Sequence, residues 1–144
     1  MKVFFDANVI LDWILNREPT FEDSYGALRE TIEQEYTAVI SASSINDIHY
    51  VIRKALKDEA KARLKTELLR SLFAIAKVDD SVIREAFKLK GHDFEDDIVA
   101  ATAIGFGADC IVTNNVKDYV EYEPIIAVYA PKDYLSYLRS LETL

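Results

Sequence analysis

The sequence predicts a single α/β domain over residues 1–144, a three-layer α/β/α sandwich around a central parallel sheet. Strand-like runs alternate with helical patterns along the whole chain, which is typical of a parallel sheet with helices on both faces. The strand-like runs are continuously apolar, as expected of strands that are covered on both faces. With 144 residues and 50% hydrophobic composition, one such domain can bury most of the surface that its unfolded chain exposes.

Five short apolar runs are the expected strands. They are Lys2–Phe5, Thr37–Ser41, Ile75–Val78, Cys110–Val112 and Ile125–Tyr129. A polar side chain lies at or just past the end of most of them: Asp6, Ser41 with Ser43 and Ser44, Asp79, and Thr113 with Asn115. Because parallel strands end at the same edge of a sheet, we expect these polar groups to meet there and to form the site.

The helices follow from apolar spacing of three and four residues. The first helix contains Ile10, Leu11, Ile14 and Leu15, and the second is expected from Phe21 to Glu35, with Phe21, Tyr25, Leu28 and Ile32 on one stripe. The third helix begins at Ser43 or Ser44 and reaches Leu56, and the fourth covers about Asp58 to Phe73. The fifth covers Val82–Leu89 after the cap residues Asp79, Asp80 and Ser81, the sixth follows the acids at 93–97, and the last begins at Pro131. Gly105 and Gly107 predict the turn after the sixth helix.

Charge is unevenly distributed. The net charge is −8, which disfavours broad attraction to nucleic acid or to an anionic membrane. The segment 53–70 nevertheless carries seven basic residues against three acids, so the remainder of the chain carries −12. This segment is either a solvated helical face or a basic flank that binds phosphates. On the second interpretation Lys57, Lys61 and Arg70 are the candidate RNA-binding residues.

Three acids stand out by their positions. Asp6 directly follows the first strand, and Asp47 and Asp96 are expected in the first turns of two helices. The last two could belong to capping boxes, with Ser44 and Asp93 as the respective N-caps. If Asn8 caps the helix that follows the first strand, Asp6 has no structural role as a cap. The position of Asp6 therefore favours a functional role.

The three carboxylates together point to a cation. Like charges on one sheet edge repel each other, and this costs stability unless a cation lies between them. Oxygen ligands favour Mg²⁺ or Mn²⁺ over zinc, and only His49, His92 and Cys110 could supply nitrogen or sulfur. No glycine-rich phosphate loop of the P-loop or dinucleotide type is present.

Four stretches together resemble the PIN domain family, in particular the VapC-type branch of toxins from bacterial and archaeal toxin–antitoxin pairs. They are KVFFDANVILDWIL, SASSINDIHYVIRKAL, DFEDDIVAATAIGFGADCIVTNNVKDY and YAPKDYLSYL. The resemblance implies a metal-dependent endoribonuclease with Mg²⁺ or Mn²⁺ as its cofactor and single-stranded or looped RNA as its substrate. A cognate antitoxin and a second copy of the chain are its implied partners.

The resemblance also implies roles for individual residues. Asp6, Asp47 and Asp96 match the first three catalytic acids, and Asn115 or Asp118 falls at the fourth position. The implied metal ligands are Asp6, Asp96, Asn115 and Asp118. Asn8 and Thr113 match residues that orient the acids, and Asp93 and Asp97 flank Asp96 as further supporting acids. The chain departs from the family pattern by having aspartate at position 47, where glutamate is common, and asparagine at 115, where aspartate is common.

Two other classes remain open at this stage. A catalytically weak PIN-like binding module would account for Asn115, and its aromatic residues would then serve an interface. Another Mg²⁺-dependent phosphate-handling α/β domain, such as a phosphatase or a phospho-acceptor receiver, would also gather acids at this edge. The single cysteine and the absence of a signal-peptide pattern or a membrane-length apolar run predict a cytoplasmic protein without membrane contact.

Overall fold

The computed structural model describes residues 1–144 and confirms the three-layer α/β/α architecture. Five parallel strands form the sheet in the order β3-β2-β1-β4-β5. The strands are β1 (Lys2–Phe5), β2 (Thr37–Ser41), β3 (Ala74–Ala76), β4 (Cys110–Val112) and β5 (Ala127–Tyr129). The strand order reverses at β1, so β1 lies at the centre of the sheet, where a parallel α/β fold places its binding site.

Eight α-helices and one short 3₁₀ turn connect the strands. The helices are α1 (Ala7–Ile14), α2 (Phe21–Glu33), α3 (Ala42–Leu56), α4 (Glu59–Leu72), α5 (Asp80–Leu89), α6 (Phe94–Phe106), α7 (Val116–Tyr119) and α8 (Pro131–Glu142), and the 3₁₀ turn covers Val120–Tyr122. None of them has the length and apolar character that crossing a bilayer requires.

The two faces of the sheet carry separate hydrophobic cores. In β1, Val3 and Phe5 point into a core formed with α1, α2, α3, α4 and α8, whereas Phe4 points into a core formed with α6 and α7. Helix α5 covers α6 from outside through a smaller cluster that includes Val82 and Ala86. Side chains of a strand alternate between faces, so continuous apolar runs are needed to fill both cores, as the sequence predicts.

Helices α3 and α4 form a hairpin whose tip lies far from the sheet. Helix α3 starts directly after β2, and α4 ends directly before β3, which pairs with β2. Both helix ends at the sheet are therefore neighbours, and the turn at Lys57 and Asp58 forms the tip. A helix of 15 residues is about 22 Å long, so this tip lies roughly 20 Å from the end of β2.

The structure corrects the predicted boundaries of two strands. Strand β3 covers Ala74–Ala76 instead of Ile75–Val78, because its partner β2 ends at Ser41, opposite Ala76. Strand β5 begins at Ala127 instead of Ile125, because its three residues pair with the three residues of β4 and earlier residues have no partner.

Two helix predictions are also wrong in detail. Helix α3 begins at Ala42 with Ser41 as its N-cap, so neither Ser43 nor Ser44 opens it, and Asp47 lies in its second turn. Helix α2 ends at Glu33, and its buried residues are Ser24, Ala27, Leu28 and Thr31. Of the predicted apolar stripe only Leu28 is buried, while Tyr25 and Ile32 are exposed. The small residues of α2 allow close packing on α8 and β2, which leaves the aromatic side outward.

Candidate active site

Asp6 lies where β1 ends and α1 begins, and it serves both elements. Its Oδ1 accepts a hydrogen bond from the backbone N–H of Ala7 at 2.8 Å, so Asp6, and not Asn8, is the N-cap of α1. Its Oδ2 accepts a hydrogen bond from the Thr113 hydroxyl at 2.8 Å. Thr113 is fully buried directly after β4, the strand that pairs with β1. Two neighbouring strands thus hold this carboxylate from both sides.

Burial raises the pKa of Asp6 above the ordinary value of an aspartate. The hydrogen bonds from Thr113 and Ala7 lower this pKa, and the negative charge of Asp118 raises it. No lysine or arginine forms an ion pair with Asp6. Asp6 is therefore a partly buried carboxylate that lacks a lysine or arginine partner.

Asp96 lies in the first turn of α6, which Asp93 caps as predicted. The Asp93 Oδ1 accepts a hydrogen bond from the Asp96 backbone N–H at 3.1 Å. The Asp96 side chain is thus free for another role. Burial raises the pKa of Asp96, the charges of Asp93 and Asp118 raise it further, and a hydrogen bond from Tyr119 lowers it.

Asp118 lies in α7, and its charge acts on both Asp6 and Asp96. Asn115 stands at the N-cap position of the same helix, where its side chain makes no capping hydrogen bond. The Asn115 backbone N–H instead donates to the Thr113 hydroxyl at 3.0 Å. Asp118 therefore lies within range of both acids, and the charges of Asp6 and Asp96 both act on the buried Tyr119. Burial raises the pKa of that tyrosine above its ordinary range.

The remaining candidate residues lie on the α3–α4 hairpin. Asp47 is exposed in the second turn of α3, the helix that starts directly after β2. Lys57 and Lys61 lie at the tip of the α3–α4 hairpin, and Arg70 lies near its base, where it pairs with Glu67 at 3.1 Å. A surface cavity of about 560 Å³ at the tip is lined by Tyr50, Arg53, Lys54, Lys57, Asp58 and Glu59.

Asp97 does not face the other acids. It is buried and binds the loop that precedes its helix: both carboxylate oxygens accept the backbone N–H of Gly91 at 3.1 Å, and Oδ1 also accepts the Tyr122 hydroxyl. His92 in the same loop pairs with Glu121 and lies 3.5 Å from an Asp96 oxygen. The hydrogen bond to Glu121 raises the pKa of His92. Asp97 therefore supports the site by fixing the chain that leads into Asp96.

Sequence reasoning missed a second buried aspartate. Asp12 of α1 accepts hydrogen bonds from the Asn114 side-chain amide at 2.6 Å and from the Ser24 hydroxyl at 3.2 Å. The Asn114 backbone N–H in turn donates to the Asn8 side-chain oxygen at 3.5 Å. These contacts hold the segment after β4 against α1. The signal was present in the sequence as a single acid inside the apolar run ILDWIL. Tyr119 was also missed, although it directly follows Asp118.

The donor set fits a hard divalent cation. Asp6, Asp96 and Asp118 supply only carboxylate oxygen. The pKa values of Asp6 and Asp96 are raised, and the negative charge of Asp118 contributes to both shifts, so a cation at this position would relieve the repulsion. As the side chains stand, no three His, Cys, Asp or Glu residues are close enough to enclose an ion. Binding would therefore draw the carboxylates inward, a side-chain movement that needs no change in the strands.

The fold defines the chain as an α/β domain with a five-stranded parallel sheet. The PIN domain family model matches residues 2–117, most of the chain, and the protein belongs to the PIN domain family. No curated protein sequence matches it closely enough to be called a relative.

Solved structures share the fold at low sequence identity. A chain of the VapBC2 complex from Rickettsia felis, bound to a promoter DNA fragment, is 18% identical with a TM-score of 0.67 over 89% of this chain and 97% of that chain. A chain of a toxin–antitoxin complex from Klebsiella pneumoniae is 22% identical with a TM-score of 0.66, over 90% and 97%. VapC20 from Mycobacterium tuberculosis, described as a toxin that cleaves the sarcin–ricin loop, is 9% identical with a TM-score of 0.58, over 76% and 86%.

Proposed function

We propose that this protein is a metal-dependent endoribonuclease that hydrolyses RNA phosphodiester bonds. The observation that carries the proposal is the pairing of Asp6 with Thr113 at the strand switch, beside two further carboxylates and without a cationic partner. One structural neighbour supports the proposal, because VapC20 is described as a toxin that cleaves the sarcin–ricin loop.

Each residue has a specific task in this proposal. Asp6, Asp96 and Asp118 would hold Mg²⁺ or Mn²⁺, and Asp118 rather than Asn115 fills the fourth position because its charge reaches both other acids. Bound there, such an ion supplies a nucleophilic water and offsets negative charge at the scissile phosphate. Thr113 and Tyr119 orient Asp6 and Asp96 through their hydroxyl groups. Asp47 would reach the site only for a second ion.

The experiment is cleavage of a labelled RNA by the purified protein. We expect activity that EDTA abolishes and that Mn²⁺ or Mg²⁺ restores, and that Asp6→Asn lowers by at least about 100-fold because it removes one ligand charge. Asp133→Asn is the control, since it removes an exposed acid from the first turn of α8. Cleavage that persists in EDTA, or that Asp6→Asn leaves unchanged, would contradict the proposal.

We further propose that the protein is the cytoplasmic toxin of a type II toxin–antitoxin pair. The support is the fold shared with chains of two toxin–antitoxin complexes. An adjacent gene for a small DNA-binding antitoxin is the expected genetic context, and co-expression with that protein should block RNA cleavage. If the neighbouring gene product does not affect RNA cleavage, the proposed antitoxin partner is contradicted, whereas the proposed nuclease activity is not.

The basic hairpin is proposed to bind the RNA backbone at a distance from the acids. Lys57 and Lys61 form no ion pair, whereas Arg70 is paired with Glu67. Lys57→Glu with Lys61→Glu should therefore weaken binding of long RNA. The salt dependence of binding should also become flatter, because fewer phosphate contacts means that fewer counterions are released on binding. Oligonucleotides too short to span roughly 20 Å should be unaffected. Unchanged binding of long RNA across a salt series would leave the hairpin as a solvated face.

A further inference from the structure

Two phenylalanine rings meet on the surface beside the acids. Phe87 of α5 is 63% exposed and Phe94, the first residue of α6, is 40% exposed. Their ring centroids are 4.4 Å apart with planes inclined by 32°. Neither ring belongs to the core cluster between α5 and α6, which is formed by Val82, Ala86 and Ala101. The two rings therefore form an aromatic surface that is exposed to solvent and does not contribute to this core cluster.

The loop between the two rings is held rigidly. The Gly91 N–H donates to both oxygens of Asp97, and the His92 N–H donates to Glu121 at 3.2 Å. A Cβ on Gly91 would collide with the Asp97 carboxylate and come within 2.6 Å of the Tyr122 hydroxyl, so this approach requires glycine. The rings are thus presented in a fixed arrangement, and a ligand would lose little of its binding energy in ordering them.

The ring pair lies next to the catalytic edge. Phe94 and Asp96 both lie in the first turn of α6, about 3 Å apart along the helix axis but on different sides of the helix. The loop that joins the two ring-bearing helices brings His92 to 3.5 Å from an Asp96 oxygen. An RNA strand whose phosphate reaches Asp96 therefore passes within about one helix width, roughly 10 Å, of the rings.

The surrounding charges favour a neutral, flat ligand. Lys88 is paired with Glu85 and Arg84 with Asp80, which leaves Lys90 as the exposed cation in this region without an ion pair. Asp93 and Glu95 lie on the other side of Phe94. A phosphate would find one cation, whereas a base would find two ring faces. A protein partner needs roughly 800 Å² on each side, far more than two rings offer.

We propose that Phe87 and Phe94 form a stacking platform for one unpaired base of the RNA, adjacent to the phosphate that is cleaved. The inference rests on the proposed ribonuclease function and adds how the substrate is positioned. Stacking on an aromatic ring tolerates any base, so the platform would select single-stranded or looped RNA over duplex RNA, whose bases are already stacked.

The test combines changes in the protein with changes in the RNA. Binding of labelled single-stranded RNA is measured with Mg²⁺ in an Asp6→Asn background, which removes cleavage. Oligonucleotides that carry one abasic nucleotide at successive positions are compared with the complete strand. We expect removal of one particular base to weaken binding about 5- to 100-fold, the range for stacking of one base on an aromatic side chain.

The variants Phe87→Ala and Phe94→Ala should show the same loss with the complete strand, and no further loss when that base is absent. Phe94→Trp should retain binding, because it retains a stacking surface. Ile125→Ala is the matched control, since Ile125 is an apolar side chain before β5, outside the basic hairpin, that is 60% exposed. Its binding should equal that of the background.

Equal binding by the phenylalanine variants, or a base effect that persists in them, would overturn the platform. So would a change of oligomeric mass in Phe87→Ala, which would show that the rings contact a protein chain. The failure of the proposed function is separate: it would appear as absence of metal-dependent cleavage by the unmodified protein. Absence of both RNA binding and cleavage would overturn both proposals.

Discussion

At the scale of single residues, the candidate site consists of carboxylates that have no lysine or arginine partner, with His92 beside Asp96. Asp6 is the most constrained of them, because it caps α1 and accepts the Thr113 hydroxyl in the same position. Asp96 is less buried, and it receives repulsion from Asp93 and Asp118. Both have raised pKa values, so the fold favours their protonated forms. The metal-free protein therefore bears a cost at neutral pH that a bound cation would remove.

Asp96→Asn should stabilise the metal-free protein. The pKa of Asp96 is raised in the folded protein. The stability that protonated Asp96 contributes is therefore fully present at pH values below its pKa in the unfolded chain, and it is lost as the pH rises through its pKa in the folded protein. At pH 7 in EDTA we expect a gain of about 1 kcal/mol, the scale of one close pair of like charges in high dielectric. The gain should vanish as pH falls below the ordinary aspartate range. Thermal unfolding across pH measures it.

The same melting curves with millimolar Mg²⁺ complete the test. Mg²⁺ should raise the melting temperature of the unmodified protein by binding its folded state, and should barely move Asp96→Asn. Asp133→Asn is the matched control, because Asp133 occupies the corresponding first-turn position of α8. It should lose only about 0.3–1 kcal/mol of helix-dipole interaction, with or without metal. An Asp96→Asn protein that behaves like this control would show that Asp96 only favours its helix.

Thr113→Val should destabilise the protein in a pH-dependent manner. Valine keeps the buried volume but removes the donor to Asp6 and the acceptor of the Asn115 N–H. We expect a cost of about 1–3 kcal/mol at neutral pH, the range for a buried group left without its hydrogen bond. The hydrogen bond from Thr113 lowers the pKa of Asp6, so the pKa of Asp6 should be higher in Thr113→Val. The loss of stability should therefore become smaller at acidic pH, where Asp6 is protonated. Thr113→Ser keeps the hydroxyl and should show no such pH dependence in denaturant titrations.

At the scale of elements, the link between α5 and α6 aligns the carboxylate helix. The backbone N–H groups of Gly91 and His92 donate to the carboxylates of Asp97, in α6, and Glu121, in the 3₁₀ turn. Lys90, at the end of α5, adopts a left-handed conformation with φ of 53°. Polar contacts of the loop backbone therefore hold the chain that leads into α6.

Gly91→Ala and Gly105→Ala should have opposite effects. A methyl group at Gly91 would displace the Asp97 carboxylate, and we expect destabilisation of about 1–3 kcal/mol, typical of overpacking. At Gly105 in α6 the nearest atom to a Cβ is a Val82 methyl at 3.8 Å, an ordinary contact. There alanine should stabilise the helix by about 0.5 kcal/mol. Equal changes in the free energy of unfolding for the two variants, measured by chemical denaturation, would show that the loop around Gly91 accommodates the methyl group without strain.

At the scale of the whole molecule, charge and apolar surface are sorted into separate regions. The α3–α4 hairpin carries the basic residues, the sheet edge carries acids, and α2 turns an aromatic stripe outward. On α2, Phe21 stacks on Tyr25 with ring centroids 5.7 Å apart, and Ile32 is 41% exposed. The exposed side of α2 therefore presents aromatic and aliphatic side chains among charged ones, with Arg29 packed over the Tyr25 ring, a composition that suits a subunit interface.

We therefore expect a homodimer with a mass of twice 16.4 kDa at micromolar concentration. Tyr25→Glu with Ile32→Glu should give a monomer, because a charge at either position would have to be buried in the interface. Leu68→Glu on α4 is the control, since Leu68 is exposed to a similar degree at 44%. Sedimentation at several concentrations measures the mass. A monomer of the unmodified protein at all concentrations would contradict the dimer, and dissociation only by Leu68→Glu would move it to α4.

The sequence by itself determined the architecture. Continuous apolar runs that alternate with helical patterns are typical of parallel strands covered on both faces, and polar residues that follow such strands share one edge, so Asp6 and Thr113 could be expected to lie close together. The cap at Asp93 was also predictable, because a capping residue acts within three residues of the chain.

Tertiary structure alone decided what depends on contacts between distant residues. Strand lengths followed the partner strands, so β3 and β5 were shorter than their apolar runs. Asp97 looks like Asp96 in sequence, yet Gly91 and Tyr122 draw it away from the site. Asp12, Asn114 and Ser24 meet only because α1, α2 and β4 pack together. Local sequence specifies which groups a segment offers, whereas packing specifies which of those groups meet, because burial demands a partner for every polar atom.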